Sequence, residues 1–146
     1  MATISQHDQL VEYHDHWLVP LQGKMVTRCL VDSAFGIELW DGDSTTTIRI
    51  EGSFIFREHG TDQLLSPEHP TALGPALATV GKTVTAVHAC KNGRLEVHFA
   101  DGSNLAVEPD AEYETWEIVS SGGLRVVCAP GGSVSIWQPG KENNGL

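Results

Sequence analysis

Gly23-Lys24-Met25-Val26-Thr27 and Gly81-Lys82-Thr83-Val84-Thr85 repeat one pattern, Gly-Lys-x-Val-Thr, about 58 residues apart. Three further landmarks follow each in the same order. Ile37-Glu38-Leu39 answers Leu95-Glu96-Val97, and Asp41-Gly42 answers Asp101-Gly102. An alternating stretch then ends in glutamate, Ile48-Arg49-Ile50-Glu51 against Leu105-Ala106-Val107-Glu108. Ordered landmarks at a near-constant offset mark an internal duplication, and a repeat sets the architecture before local propensity is consulted.

Each copy reads as a three-stranded antiparallel meander. In the second, residues 84–90 and 95–99 flank Lys91-Asn92-Gly93-Arg94, and Asn-Gly between alternating apolar runs is a strong hairpin signal. A two-residue loop there would pair Cys90 with Leu95, His88 with Val97 and Ala86 with Phe99. Because strand side chains alternate, this register puts His88 on the apolar face, as a core histidine bonded to a backbone group, and His98 on the opposite face. In the first copy, residues 26–31 and 35–40 flank Asp32-Ser33-Ala34, and a third strand runs from about 45 to 56 with a bulge or bend at Gly52. Between the copies, Ser66-Pro67-Glu68 predicts a helix start, serine as cap and proline at the first helical position, shortened by Gly74 and Pro75. Strands near 115–119, 124–128 and 133–137 complete the chain. About nine strands and one short helix predict an all-β antiparallel sandwich or partly open barrel. The expected organisation is an N-terminal segment 1–20 outside the repeat, a single β domain 21–138 with copies at about 21–57 and 79–115, and a flexible tail 139–146.

Nine Lys and Arg against nineteen Asp and Glu leave a net charge of −10. That field repels phosphate backbones and anionic lipid, so neither nucleic acid nor membrane is an expected partner, whereas a basic protein is favoured at long range. Three separated cysteines, Cys29, Cys90 and Cys128, form no Cys-x-x-Cys and no even-numbered disulfide framework. No secretory signal is visible at the N-terminus, so a cytoplasmic protein with reduced thiols is expected.

Near the C-terminal end stand Tyr113-Glu114-Thr115-Trp116 and Cys128-Ala129-Pro130-Gly131-Gly132-Ser133-Val134-Ser135-Ile136-Trp137. Together with the repeated Val-Thr meanders and Asp-Gly turns, these motifs resemble a domain-of-unknown-function family of small actinobacterial proteins, over about residues 21–137. The resemblance implies a fold and no activity. A Tyr-Glu-x-Trp strand in a small acidic domain is also similar to bacterial immunity proteins that neutralise toxins, by analogy alone.

His14-Asp15-His16 would place two imidazoles on one face of a strand, with His7 and Asp8 nearby, but no spaced third and fourth ligand follows. Cys29 and Cys90 read as small buried hydrophobes. Cys128 lies just before Pro130-Gly131-Gly132, a turn first and an anion nest second, with no base at a diagnostic spacing. No P-loop, G-x-S-x-G or H-E-x-x-H motif is present. No catalytic, cofactor or metal residue is therefore assigned. The densest functional signal is acidic and aromatic: Asp110, Glu112, Tyr113, Glu114 and Glu117, with Trp116 and Ile118 as core and Glu114 at the rim. Carboxylates around an aromatic suit recognition of a basic protein, the ring anchoring and the charge steering. The expected function is non-enzymatic protein binding, in an immunity- or antitoxin-like role. A small hydrolase or metal-binding enzyme, and a structural or assembly subunit, are the alternatives.

Overall fold

The computed structural model describes residues 9–139 and is an all-β sandwich of two antiparallel sheets. The strands are β1 (Val11–Glu12), β2 (His16–Val19), β3 (Met25–Val31), β4 (Phe35–Trp40), β5 (Thr45–Ile50), β6 (Phe54–Glu58) and β7 (Thr61–Leu65). After one helical turn, α1 (Gly74–Leu77), come β8 (Val84–Cys90), β9 (Leu95–Phe99), β10 (Asn104–Val107), β11 (Trp116–Ser120), β12 (Arg125–Cys128) and β13 (Val134–Trp137). One sheet has seven strands in the order β1-β2-β8-β9-β10-β6-β7, and the other six in the order β13-β12-β11-β5-β4-β3. Neither closes into a barrel. Among the described residues no helix is long and apolar enough to cross a membrane.

The duplication runs deeper than a three-strand unit. Copy one's meander, β3-β4-β5, lies in the six-stranded sheet, and its following hairpin β6-β7 crosses to the other sheet to pair with β10. Copy two mirrors this: β8-β9-β10 lie in the seven-stranded sheet, and β11-β12 cross over to pair with β5. Each copy thus completes the other's sheet. The expected single strand over 45–56 is therefore two strands in different sheets, with Gly52 at the crossover. A Cβ there would sit 2.9 Å from the Tyr113 hydroxyl, so glycine lets the ring lie against the backbone.

The Gly-Lys-x-Val-Thr pattern is the joint between copies. Gly23 N donates to Val84 O (2.8 Å) and Val84 N to Lys24 O (2.8 Å). Symmetrically, Gly81 N donates to Val26 O (2.8 Å) and Val26 N to Lys82 O (2.9 Å). The threonines sit at matching irregularities, where the register shifts between Val26 and Arg28 and between Val84 and Ala86. Thr27 Oγ1 donates to Glu38 O and Thr85 Oγ1 to His98 O. Each lysine reaches the aspartate of its own Asp-Gly turn, Lys24 to Asp41 at 3.3 Å and Lys82 to Asp101 at 2.6 Å. The core between the sheets includes Phe35, Ile37, Ile48, Phe54, Phe56, Leu95, Val97, Leu105, Trp116 and Ile118. Phe35 and Phe54 stack with centroids 5.3 Å apart.

One local expectation is corrected. Ser66 Oγ accepts from Glu68 N (3.2 Å) in a tight turn rather than capping a helix. Helical geometry starts a turn later, as a 3-10 turn over Pro70–Leu73 with no side-chain cap. The segment ahead of the repeat adds β1 and β2 to the edge of the seven-stranded sheet, with Val19 and Leu21 buried in the common core. The tail from 140 onward, and His7 and Asp8, lie outside the described residues.

Candidate functional site

The Tyr113–Trp116 and Cys128–Trp137 stretches are natural first suspects, and here they converge on one rigid corner. Gly93, at φ +98°, offers its carbonyl to the buried Trp116 Nε1 (2.8 Å) and to the Cys128 thiol (3.5 Å). A Cβ on Gly93 would lie 2.6 Å from the Cα of Gly132, and one on Gly132 2.6 Å from Asn92 O. Gly131 N donates to Asp110 O (2.7 Å). The Asn-Gly turn, Tyr-Glu-x-Trp and Cys-x-Pro-Gly-Gly are thus one packing device, in which backbone meets backbone. Burial pushes the Cys128 thiol above its ordinary value, which does not suit a nucleophile. Burial likewise raises Cys29 and Cys90, and all three thiols are free.

Tyr113 leaves that corner and faces solvent, 42% exposed. With Glu51, Glu114, Trp116, Glu117 and Arg125 it lines a recess of about 340 Å³ on the six-stranded sheet. Of the residues singled out by sequence, Tyr113, Glu114 and Glu117 come together here. Asp110 instead shapes the approach, its Oδ1 accepting from Glu112 N (2.8 Å), and Glu112 is exposed at that turn without lining the recess. Burial first, then the carboxylates of Asp110, Glu68 and Glu51, raise the Tyr113 hydroxyl above its ordinary value and keep it a neutral donor. Glu51 and Arg125 were not legible from the linear chain. The β5–β11 pairing brings Glu51 in, its N donating to Thr115 O (2.8 Å), and β12 brings Arg125, 3.2 Å from Glu117.

On the outer face of the other sheet the structure corrects the histidine reading. The turn at Asn92-Gly93 is a three-residue loop: Gly93 N donates to Cys90 O (2.9 Å) and Cys90 N to Arg94 O (2.8 Å). That shifts the register by one, pairing His88 with Glu96, Ala89 with Leu95 and, beyond the Thr85 irregularity, Ala86 with His98. Val87 and Ala89 therefore face the core, while His88, Glu96 and His98 share the outer face. His88 is no core histidine. Strand β2 carries His16 alongside, so three imidazoles form a row, with centroids 4.5 Å apart for His16–His88 and 5.6 Å for His88–His98. His98 Nε2 lies 3.1 Å from Glu96 Oε1 and His88 Nδ1 3.9 Å from the same oxygen. Burial, then the neighbouring imidazoles of His16 and His98, push His88 below its ordinary value and favour its neutral ring. Burial opposes ionisation of Glu96, but Arg94 and His98 outweigh it and hold the carboxyl below its ordinary value. His14 is exposed.

Comparison with curated proteins gives no match, and comparison with solved structures gives none. A family model covers residues 17–138, from the second strand through the last, so the motifs of the corner and both meanders fall within it. The chain belongs to that family, described as a family of unknown function (DUF6188).

Proposed function

We propose that this protein is a non-enzymatic binding module that holds a basic protein partner at the Tyr113 recess, in the manner of an immunity or antitoxin-like inhibitor acting in the cytoplasm. The observation that carries the reading is the recess itself: Glu51, Glu114 and Glu117 around a half-exposed tyrosine, with Arg125 the one cation among the described lining residues and already tied to Glu117. Its volume, about 340 Å³, suits one long basic side chain laid along the Tyr113 ring. A net charge of −10 supplies long-range attraction for such a partner, and the rigid Gly93–Trp116 corner behind the recess keeps it preorganised.

The test is association kinetics with a partner recovered by affinity capture, measured at low and high salt for the native chain, Glu114→Lys and Tyr113→Ala. The on-rate should fall steeply with salt and Glu114→Lys should slow it, whereas Tyr113→Ala should raise the off-rate and weaken binding by roughly ten-fold or more. Binding indifferent to salt and to both substitutions would overturn the reading.

A further inference from the structure

The histidine row lies on the opposite face of the sandwich from the recess and takes no part in the binding reading. We infer that His88, Glu96 and His98 form a site for a divalent transition metal ion, of the zinc class, on the outer face of the seven-stranded sheet. The three donor atoms lie within 4.8 Å of one another, all on the rigid β8–β9 hairpin. Tetrahedral coordination at about 2.0–2.2 Å per bond asks donors to stand roughly 3.3–3.6 Å apart, which small side-chain rotations reach. Two imidazoles and one carboxylate suit zinc and its neighbours, and ill suit magnesium or calcium, which prefer all-oxygen shells.

The surroundings fit the same assignment. Arg94 Nε holds the far oxygen of Glu96 (2.9 Å from Oε2), which orients the carboxylate and leaves Oε1 toward the two imidazoles. His16 lies beside His88 and is held by Asp15, whose Oδ1 is 2.6 Å from its Nδ1. That carboxylate–imidazole pair fixes the His16 ring beside the site, outside the three-donor set. Copy one offers no counterpart: strand pairing corrects the sequence match of Glu38 with Glu96, aligning Glu38 with His98 and placing Leu30 and Gly36 where copy two has His88 and Glu96. The donor set is thus particular to one copy, on a scaffold that does not need it to fold.

The experiment is a Zn²⁺ titration of the full chain, purified without a histidine tag and stripped with a chelator, against a competing chromophoric chelator, with Mg²⁺ as the comparison ion. One equivalent of Zn²⁺ should bind with micromolar or tighter affinity, raise the melting temperature and shift the ring ¹⁵N resonances of His88 and His98. His88→Leu and His98→Gln, both at part-exposed positions, should each weaken binding by at least ten-fold and abolish the thermal shift, while keeping the native circular dichroism. Asp15→Asn should weaken it less, by roughly ten-fold at most. Exposed His14→Ala should leave affinity within two-fold. No stoichiometric uptake, undiminished affinity in His88→Leu and His98→Gln, or loss confined to His14→Ala would each overturn the assignment. If a variant loses its native spectrum, the ring shifts of the native chain decide: unmoved His88 and His98 rings sink the site.

Discussion

Copy one and copy two share their joints and differ on their outer faces. Leu30 opposite Gly36 in β3-β4 occupies the place of His88 opposite Glu96 in β8-β9, and the Arg28–Glu38 ion pair stands where Ala86 faces His98. What both retain is structural: the Gly-Lys hydrogen bonds, the bulged threonine and the lysine–aspartate contact. The hairpin turns differ as well. Copy one's turn closes through Asp32, which accepts from Ala34 N (2.8 Å), and none of its residues has a positive φ. Copy two's turn is pinned through Gly93 against Gly132 and Pro109. A repeated scaffold needs its joints twice, but a site needs only one face, so chemistry is sought where the copies disagree.

The sharpest way to break this comparison is at Gly93. Gly93→Ala combines a left-handed backbone with a backbone clash and should cost about 3 kcal/mol or more in urea unfolding. Gly102→Ala, at φ +89° with nothing within 4 Å of the added Cβ, should cost only about 1–2 kcal/mol. Ser33→Ala in copy one's turn should stay within about 0.5 kcal/mol. Equal losses at Gly93 and Gly102 would mean that the corner is not the constraint described.

The two lysine joints should rank next. Lys82 meets Glu58 (2.5 Å), Asp101 (2.6 Å) and Ser103 (2.8 Å), whereas Lys24 meets Asp41 (3.3 Å) and Ser44 (3.0 Å). Lys82→Met should therefore destabilise by about 1–3 kcal/mol and Lys24→Met by about 1 kcal/mol or less. Their acid dependence follows in sign. The backbone amides of Ser44 and Asp43, then Lys24, hold Asp41 down at about 2, and Lys82 with the Ser103 hydroxyl and amide holds Asp101 lower still. Both contributions are complete above about pH 4; that of Asp41 fades as pH falls through about 2, and that of Asp101 persists to lower pH. In Asp41→Asn and Asp101→Asn that part of the acid limb should flatten.

A smaller effect separates the outer faces by pH. His88 titrates below its ordinary 6.5 in the folded chain, so the neutral ring contributes stability above that value, and the contribution is lost as pH falls through the folded value. His88→Leu should thus blunt the loss of melting temperature between pH 7 and 5, an interval where substitutions in copy one's Leu30–Gly36 region change nothing. The smallest effect belongs to Arg28→Ala, which removes a 3.0 Å pair with Glu38 from a side chain 62% exposed and should shift stability by no more than about 0.5 kcal/mol.

Much of this architecture is readable from local pattern. The duplication, the meanders, the C-terminal strands and the inward Trp116 and Ile118 follow from period-two alternation, which is a property of the backbone itself. The site was less legible. Tyr113, Glu114 and Glu117 stood out by composition, but Glu51 and Arg125 reach the recess only through strand pairing far along the chain. The histidine row was hidden by one residue of register. Asn92-Gly93 accommodates a two-residue or a three-residue loop, and that small local difference leaves β9 on its expected faces but turns His88 outward and Val87 and Ala89 inward.

By itself, then, the sequence determined a duplicated, acidic, all-β chain with its repeated Gly-Lys-x-Val-Thr landmarks, because alternation, glycine and turn chemistry act over a few residues. Which sheet each hairpin entered, which face His88 took, and that His16 would stand beside it were decided by tertiary structure. The reason is energetic: burial of Val87, Ala89, Leu95 and Val97 between the sheets outweighs any preference the hairpin has alone, and that burial exists only once both copies have exchanged their hairpins.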